Sequence, residues 1–152
     1  MSMFGAIDAA ASGLTAERLR MDVISNNIAN VNTTRTENGR PFRRKFVVFE
    51  PREMHNKNFA RVLSGEISKE EFGKRSGDGV RAVGIQEDTT QGKLVYDPGH
   101  PDANADGYVE LPNVNIVNEM VDMITASRAY EANVTTINAA KSMASQALNI
   151  SK

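Results

Sequence analysis

Histidine and cysteine, the residues that most often carry catalysis or metal binding, are scarce in this chain. The sequence has no cysteine and only two histidines, His55 and His100. Neither histidine has a second ligand at metal-binding spacing, and the His-Glu-x-x-His and Gly-x-Ser-x-Gly patterns are absent. Disulfide frameworks and thiolate metal sites are excluded as well. We therefore expect no enzymatic activity and no bound cofactor.

The strongest metal-site motif is an acidic loop at Asp102–Gly107, which reads Asp-Ala-Asn-Ala-Asp-Gly. It matches the first half of an EF-hand loop, but the twelfth position, which needs a bidentate Glu, is Asn113. Pro98 and Pro101 also exclude the entering helix. A small calcium-binding or helix-groove binding module using this loop is the alternative function. The expected structure is a set of turns capped by Asp and Asn side chains, followed by a strand at 108–111.

A basic cluster at residues 40–45 is the other candidate site. Such a cluster can bind phosphate or nucleic acid, form a solvated face, or donate salt bridges to another subunit. The net charge of the whole chain is −1, so no overall field attracts nucleic acid. We therefore expect no nucleic-acid partner, and subunit contacts through Arg43, Arg44 and Lys45.

The element that organises the chain is its C-terminal segment, 113–152. Its apolar residues alternate in spacings of four and three, which predicts one long helix with a heptad seam. Pro112 closes the preceding segment, and Asn113 or Asn115 can cap the helix start. At 1.5 Å per residue the helix would be about 50 Å long, too long for the core of a small domain. The predicted seam is Ile116, Met120, Met123, Ser127, Tyr130, Val134, Ile137, Lys141, Ala144 and Leu148.

No charged residue occurs between Glu131 and Lys141. A helix without a solvated face is normally enclosed on several sides, and this chain is too short to enclose it. The sequence therefore predicts packing against other subunits. The predicted interface residues on this helix are Met120, Met123, Tyr130, Ala132, Val134, Ile137, Ala139, Ala144 and Leu148.

The N-terminal segment, 1–32, has the same character. Apolar residues recur at helical spacing, and residues 23–34 carry no charge. The economical arrangement pairs this helix with the C-terminal one in a coiled-coil-like α-domain. Its predicted interface residues are Leu14, Met21, Ile24, Asn27, Ile28, Asn30 and Val31.

The middle of the chain carries a small β part. Residues 33–56 are predicted to form an extended arm or hairpin, with a turn at Asn38-Gly39 and a β-prone run at 46–49. A polar loop is predicted over 57–79, and a small β element with the Asp/Asn/Gly turn over 80–112. The predicted fold class is thus mostly α with a small β part.

Several segments resemble known sequences. Residues 26–35, Asn-Asn-Ile-Ala-Asn-Val-Asn-Thr-Thr-Arg, resemble the N-terminal signature of bacterial flagellar axial proteins, and 120–133 resemble their C-terminal segment. The runs at 41–45 and 96–115 resemble the proximal-rod FlgC family of the basal body. Distal-rod and hook relatives place Gly and an aromatic residue where this chain has Arg35-Thr36, which favours the proximal-rod branch.

This resemblance implies a structural subunit of the proximal rod, part of the motor driveshaft, that polymerises through its terminal helices. The implied partners are other rod proteins, copies of itself, the flagellar export apparatus, and MS-ring or rod-base components. It also implies a location in the periplasmic rod after type III export without a cleaved signal peptide. The residues agree, because the N-terminus has no basic region before Arg18. The sequence contains no run of eighteen apolar residues, so we expect no membrane insertion.

Overall fold

The computed structural model of the chain describes residues 3–52 and 79–150. Along the chain, one long helix precedes a small β part and a second long helix follows it, which confirms the predicted fold class. The predicted polar loop, 57–79, lies outside the described residues except for Gly79. The elements are α1 (Met3–Ala29), β1 (Lys45–Pro51), β2 (Val80–Glu87), β3 (Leu94–Tyr96), β4 (Tyr108–Glu110) and α2 (Ile116–Ile150).

Helix α2 has 35 residues and begins where the sequence predicted a cap. The Asn115 side-chain oxygen accepts a hydrogen bond from the Val117 N–H at 3.0 Å, which satisfies one free donor of the first turn. Helix α1 has 27 residues and ends in turns at Asn30 and Val31. Both helices start and end within about three residues of the predicted bounds, as expected for pattern-based assignment.

The two helices pack against each other in antiparallel orientation. Gly13 of α1 lies against Asn133 of α2, whereas Asn27, further along α1, bonds to Glu119 near the start of α2. A Cβ atom on Gly13 would lie 2.8 Å from Asn133 Nδ2, so the absence of a side chain permits this close approach. The predicted pairing of the termini is therefore confirmed.

The seam of α2 that faces α1 differs from the predicted one. The two share Met123, Tyr130, Ile137 and Ala144, which are half-buried. The second row of contact residues, however, is shifted by one position, and Met120 of the predicted seam is 54% exposed. Ala126 and Ala140 of the shifted row let the helix backbones approach, while Met120 and Leu148 of the predicted row are exposed and Val134 is half-buried. The shifted row consists of Glu119, Ala126, Asn133 and Ala140.

The strands form two separate two-stranded antiparallel sheets. Strand β1 pairs with β2, from Lys45↔Glu87 to Pro51↔Val80, with an irregularity between Val48 and Phe49. The partner of β1 comes from beyond residue 79, so β1 is not part of a local hairpin. The chain before β1 turns back on itself at Gly39, where the Thr36 N–H donates to the Arg40 carbonyl at 2.8 Å and the Phe42 N–H donates to the Thr33 carbonyl at 3.1 Å. Strands β3 and β4 pair through Val95↔Val109 and carry an edge-to-face pair of tyrosines.

The β1–β2 sheet lies along α1. At one end Arg52 pairs with Asp8 at 3.5 Å, and the Val80 N–H donates to Ser12 Oγ at 3.0 Å. At the other end the main chain of Lys45 bonds to the Asn27 side chain. Helix α1 thus lies between α2 and this sheet. The buried apolar residues are mostly small: Ala10, Ala16, Val23, Ile24, Phe42, Val109, Ala126 and Ala140.

Candidate assembly interface

A buried polar cluster joins the two helices to the arm. We call it the polar node, and it consists of Asn27, Arg44, Glu119 and Asp122. Asn27 is completely buried. Its Nδ2 donates to the Lys45 carbonyl at 2.8 Å and to Glu119 Oε2 at 3.0 Å, and its Oδ1 accepts from the Lys45 N–H at 2.9 Å. The amide of Asn27 therefore pairs with β1 as a neighbouring strand would.

Glu119 is also completely buried, and Arg44 is its charge partner. Arg44 Nε donates to Glu119 Oε1 at 2.5 Å, and Arg44 Nη2 donates to Asp122 Oδ2 at 3.2 Å. A buried carboxylate is tolerated only when ion pairing and hydrogen bonds replace its water. Both Glu119 oxygens are bonded, one to Arg44 and one to Asn27. The node therefore fixes the register of α1, α2 and the arm at one end of the helix pair.

Two other residues of the basic cluster, Arg43 and Lys45, also bind within the chain. Arg43 donates to the Thr89 and Thr90 carbonyls and to Glu110 Oε1, the last at 3.2 Å. Lys45 lies 3.8 Å from a Glu87 oxygen. The predicted subunit contacts of Arg43, Arg44 and Lys45 are untested by these bonds and stay a prediction.

A short turn, 88–90, is anchored next to the node. The Asp88 N–H donates to the Arg44 carbonyl at 2.7 Å. The Thr90 hydroxyl and N–H both donate to Asp88 Oδ1, at 2.6 and 2.9 Å. These bonds to the Thr90 side chain and backbone lower the pKa of Asp88, and the positive charges of Arg44 and Arg43 act in the same direction.

The acidic loop forms the predicted turns. Asn104 Oδ1 accepts from the N–H groups of Asp106 and Tyr108 at 3.1 and 2.8 Å. Asp102 accepts from the Thr34 hydroxyl at 2.8 Å and lies 3.6 Å from Arg35, so it binds the arm. Within residues 3–52 and 79–150, no group of three or more His, Cys, Asp or Glu residues is arranged to hold a metal ion.

The interface residues predicted on α1 divide into two groups. Ile24 and Asn27 are 5% and 0% exposed, because they contact α2 and the arm of the same chain. In this conformation they offer no surface to a neighbour. The half-buried members are Leu14, Met21, Ile28, Asn30 and Val31.

The interface residues predicted on α2 also divide into two groups, one exposed and one half-buried. Met120 and Leu148 are 54% and 73% exposed, and Ala132 and Ala139 are also exposed. The others are half-buried beside α1: Met123, Tyr130, Val134, Ile137 and Ala144.

An exposed apolar face at the start of α2 was not predicted from the sequence. Val117, Val121 and Ile124 are 68%, 55% and 52% exposed. They share one face of the helix because they are spaced by four and three residues. That spacing was visible in the sequence, but the competing seam one position away contained more apolar residues.

Beyond the exposed Arg128 and Glu131, this face continues into the charge-free part of α2. Thr135, Thr136, Asn138 and Ala139 are exposed in this chain, although none of them carries a charge. Contiguous exposed surface with apolar side chains and few charges is typical of protein–protein interfaces. Of the helices in the described ranges, neither combines the length and the hydrophobicity that a bilayer span requires. The arrangement is suited to packing against other proteins.

Comparisons with known proteins agree with this arrangement. A family model described as "Flagella basal body rod protein" matches residues 7–35. Another, "Flagellar basal body rod FlgEFG protein C-terminal", matches residues 105–150. The first match covers most of α1, and the second covers β4 and α2.

Several FlgC proteins match this chain over nearly its whole length. The chain is 52% identical to the flagellar basal-body rod protein FlgC of Borreliella burgdorferi, with 99% of this chain and 98% of the relative covered. It is 45% identical to FlgC of Bacillus subtilis over the full length of both chains. It is 35% identical to FlgC of Salmonella typhimurium, with 99% and 98% covered.

These relatives are structural components of the rod and not enzymes, and they give no support to the calcium-binding alternative. The predicted family and the predicted structural role are confirmed, as is the location in the flagellar basal body. The chain belongs to the FlgC family of flagellar basal-body rod proteins.

Proposed function

We propose that this rod subunit polymerises through the outward faces of its two helices, with copies of itself and other rod proteins as neighbours. The observation that carries the proposal is the exposed face of α2. It begins with Val117, Val121 and Ile124 and, past the exposed Arg128 and Glu131, continues through uncharged residues up to Ala139. Exposure of such a face to water is unfavourable, and burying it stabilises the assembly by about 25 cal/mol per Å² of apolar surface.

The polar node sets the geometry of these contacts. Because Glu119 and Asn27 fix the helix register inside the chain, each copy presents its two outer helix faces in the same relative orientation. Contacts that join different faces of identical subunits give a closed ring only when the rotation between neighbouring subunits closes. Otherwise they generate axial or helical assemblies. A rod is an assembly of this kind.

The family also suggests where the subunit acts. We place it in the periplasmic part of the rod, close to the MS-ring and rod-base components, after delivery by the flagellar type III export apparatus without removal of its N-terminal helix. In support, Asp8 and Ser12 of α1 bind the β1–β2 sheet, and Ala10 is 6% exposed. The first part of α1 is therefore an integral part of the fold.

Fractionation with a matched pair of variants tests the proposal. Val117→Lys places a charge on the exposed face of α2, and Asn38→Lys places the same charge on an exposed turn. Both variants should fold like the parent, since exposed substitutions change stability by at most about 0.5 kcal/mol. We expect Asn38→Lys in detergent-resistant basal bodies and Val117→Lys only in the unassembled fraction. Normal incorporation of Val117→Lys would contradict the proposed interface.

A further inference from the structure

Each helix carries a second stripe of residues on the face turned away from its partner helix. We call these the outer stripes. Both alternate in spacings of four and three, as helices do that pack side by side. All their members are exposed. The outer stripe of α1 is Ala11, Thr15, Arg18, Asp22, Ser25 and Ala29, and that of α2 is Val117, Val121, Ile124, Arg128, Glu131 and Thr135.

Each outer stripe contains one cation followed by one anion. On α1 they are Arg18 and Asp22, and on α2 they are Arg128 and Glu131. None of the four forms an ion pair with another described residue, whereas most charges of the arm do. Four charges, with the anion four residues after the cation on α1 and three residues after it on α2, thus remain available to a neighbour.

The order of these charges decides the orientation in which two stripes attract. In an antiparallel approach Arg18 lies opposite Glu131, and Asp22 lies opposite Arg128. In a parallel approach Arg18 would face Arg128 and Asp22 would face Glu131, and like charges in contact disfavour the pairing. Since α1 and α2 are antiparallel within the chain, a second copy in the same orientation presents its α2 antiparallel to α1.

The uncharged positions fit the same register. Thr15 then faces Thr135, Ser25 faces Ile124, and Ala29 faces Val121. Small residues on α1 thus oppose the larger aliphatic residues of α2, which suits close helix packing.

We infer that the outer stripe of α1 docks antiparallel on the outer stripe of α2 from a second copy of this chain, with Arg18 opposite Glu131 and Asp22 opposite Arg128. This inference rests on the proposed function and names the partner of its interface. The contact joins different faces of two copies in the same orientation, so it repeats along the assembly.

Engineered disulfides test the contact directly, because the chain has no cysteine of its own. The variant Arg18→Cys with Glu131→Cys should give cross-linked products larger than a dimer in oxidised basal bodies. Within one chain these positions lie on opposite sides of the helix pair, beyond the 4.4–6.8 Å or so between Cα atoms that a disulfide permits. The control, Arg18→Cys with Arg128→Cys, should give none. Products from the control and not from the first variant would show a parallel contact and overturn the inference.

Charge reversal provides a second test with an internal rescue. Glu131→Arg alone should weaken association by about 1.5- to 5-fold per contact, as for an exposed ion pair, and should reduce swimming. Adding Arg18→Glu should restore it, since the opposite charges meet again. Equal defects in the single and double variants would overturn the inference.

The proposed function and this contact can be tested separately. If the parent chain is absent from basal bodies, the proposed function is wrong. If the parent is present but the Arg18–Glu131 cysteine pair gives no cross-link and the reversal has no effect, only this inference is wrong.

Discussion

The two ends of the helix pair are held together by different means. At one end the polar node joins Asn27, Arg44, Glu119 and Asp122 in hydrogen bonds that leave both buried side chains satisfied. At the other end Gly13, Asn133 and Ala140 pack with small side chains. The node end carries most of the specificity within the chain. The distal end holds the helices close but anchors them weakly, so we expect it to depend on neighbouring subunits.

Removing the buried carboxylate should have the largest effect on the isolated chain. Glu119→Ala leaves Arg44 and the Asn27 amide without their partner, and breaking a buried ion pair costs about 3–5 kcal/mol. We expect the low end of that range, because Arg44 is partly exposed. Urea unfolding followed by circular dichroism measures it. Glu131→Ala, on the outer face of α2, is the control and should change stability by less than about 0.5 kcal/mol.

A loss below about 1 kcal/mol in Glu119→Ala would show that the node does not anchor the pair. The two ends of the helix pair would then not differ in how strongly they are anchored.

Overpacking the distal end should cost less. Ala140 is 3% exposed against α1, and extra methylenes in a packed site usually cost about 1–3 kcal/mol. Ala140→Leu should cost about 1 kcal/mol, the low end of that range, because position 140 lies toward the end of the helix pair. The neighbouring Ala139→Leu, on the exposed side, should be neutral. If Ala140→Leu destabilised the chain more than Glu119→Ala, the distal end would be the true anchor.

A charge on the outer face should separate folding from assembly. Ala139→Lys should change the stability of the isolated chain by no more than about 0.5 kcal/mol. In the rod an unpaired ammonium would have to lose its water, which is strongly unfavourable. The variant should therefore be secreted but not incorporated, and the cells should lack complete filaments. Ile137→Asp, in the seam facing α1, should fail earlier by destabilising the helix pair. Normal motility with Ala139→Lys would show that this face is free.

The smallest effect concerns pH at the edge of the node. The pKa of Asp88 is lowered by its hydrogen bonds to Thr90, so in the folded state it lies below the unfolded value of about 3.9. The resulting stabilisation is present above that value and is lost as pH falls through the folded pKa. Asp88→Asn should therefore lower the thermal midpoint slightly at pH 6, and the difference should shrink below about pH 4. A difference that stayed constant from pH 6 to pH 2 would assign the effect to something other than ionisation.

Much of the fold could be predicted because its signals are local. The heptad spacing predicted both helices, and Asn38-Gly39 predicted the turn in which Gly39 adopts a φ of 71°. The pairing of β1 with β2 spans residues 52–79, and no local pattern specifies so distant a partner. The same holds for the polar node. Arg44 could be recognised as a salt-bridge donor, but nothing in the sequence indicated that Glu119 of the same chain is its acceptor.

The row of α2 that faces α1 differs from the predicted row for a physical reason. Counting apolar residues selected the row containing Met120 and Val134, yet helix α1 packs on the row with Ala126 and Ala140. The alanines permit a close approach of the two backbones, and of the large side chains in the predicted row Met120 and Leu148 stay exposed while Val134 is half-buried. In a subunit built for assembly, the most apolar row is therefore a poor guide to the internal seam.

We propose that the outer face of α2 is exposed in the free chain and covered in the rod. Cysteine labelling of Ala139→Cys tests it, with Asn38→Cys as an exposed control and Ala140→Cys as a buried one. In the purified monomer, Ala139→Cys should react with a maleimide as fast as Asn38→Cys, while Ala140→Cys should not react. In isolated basal bodies Ala139→Cys should become unreactive and Asn38→Cys should stay reactive. Continued labelling of Ala139→Cys in assembled basal bodies would contradict the account.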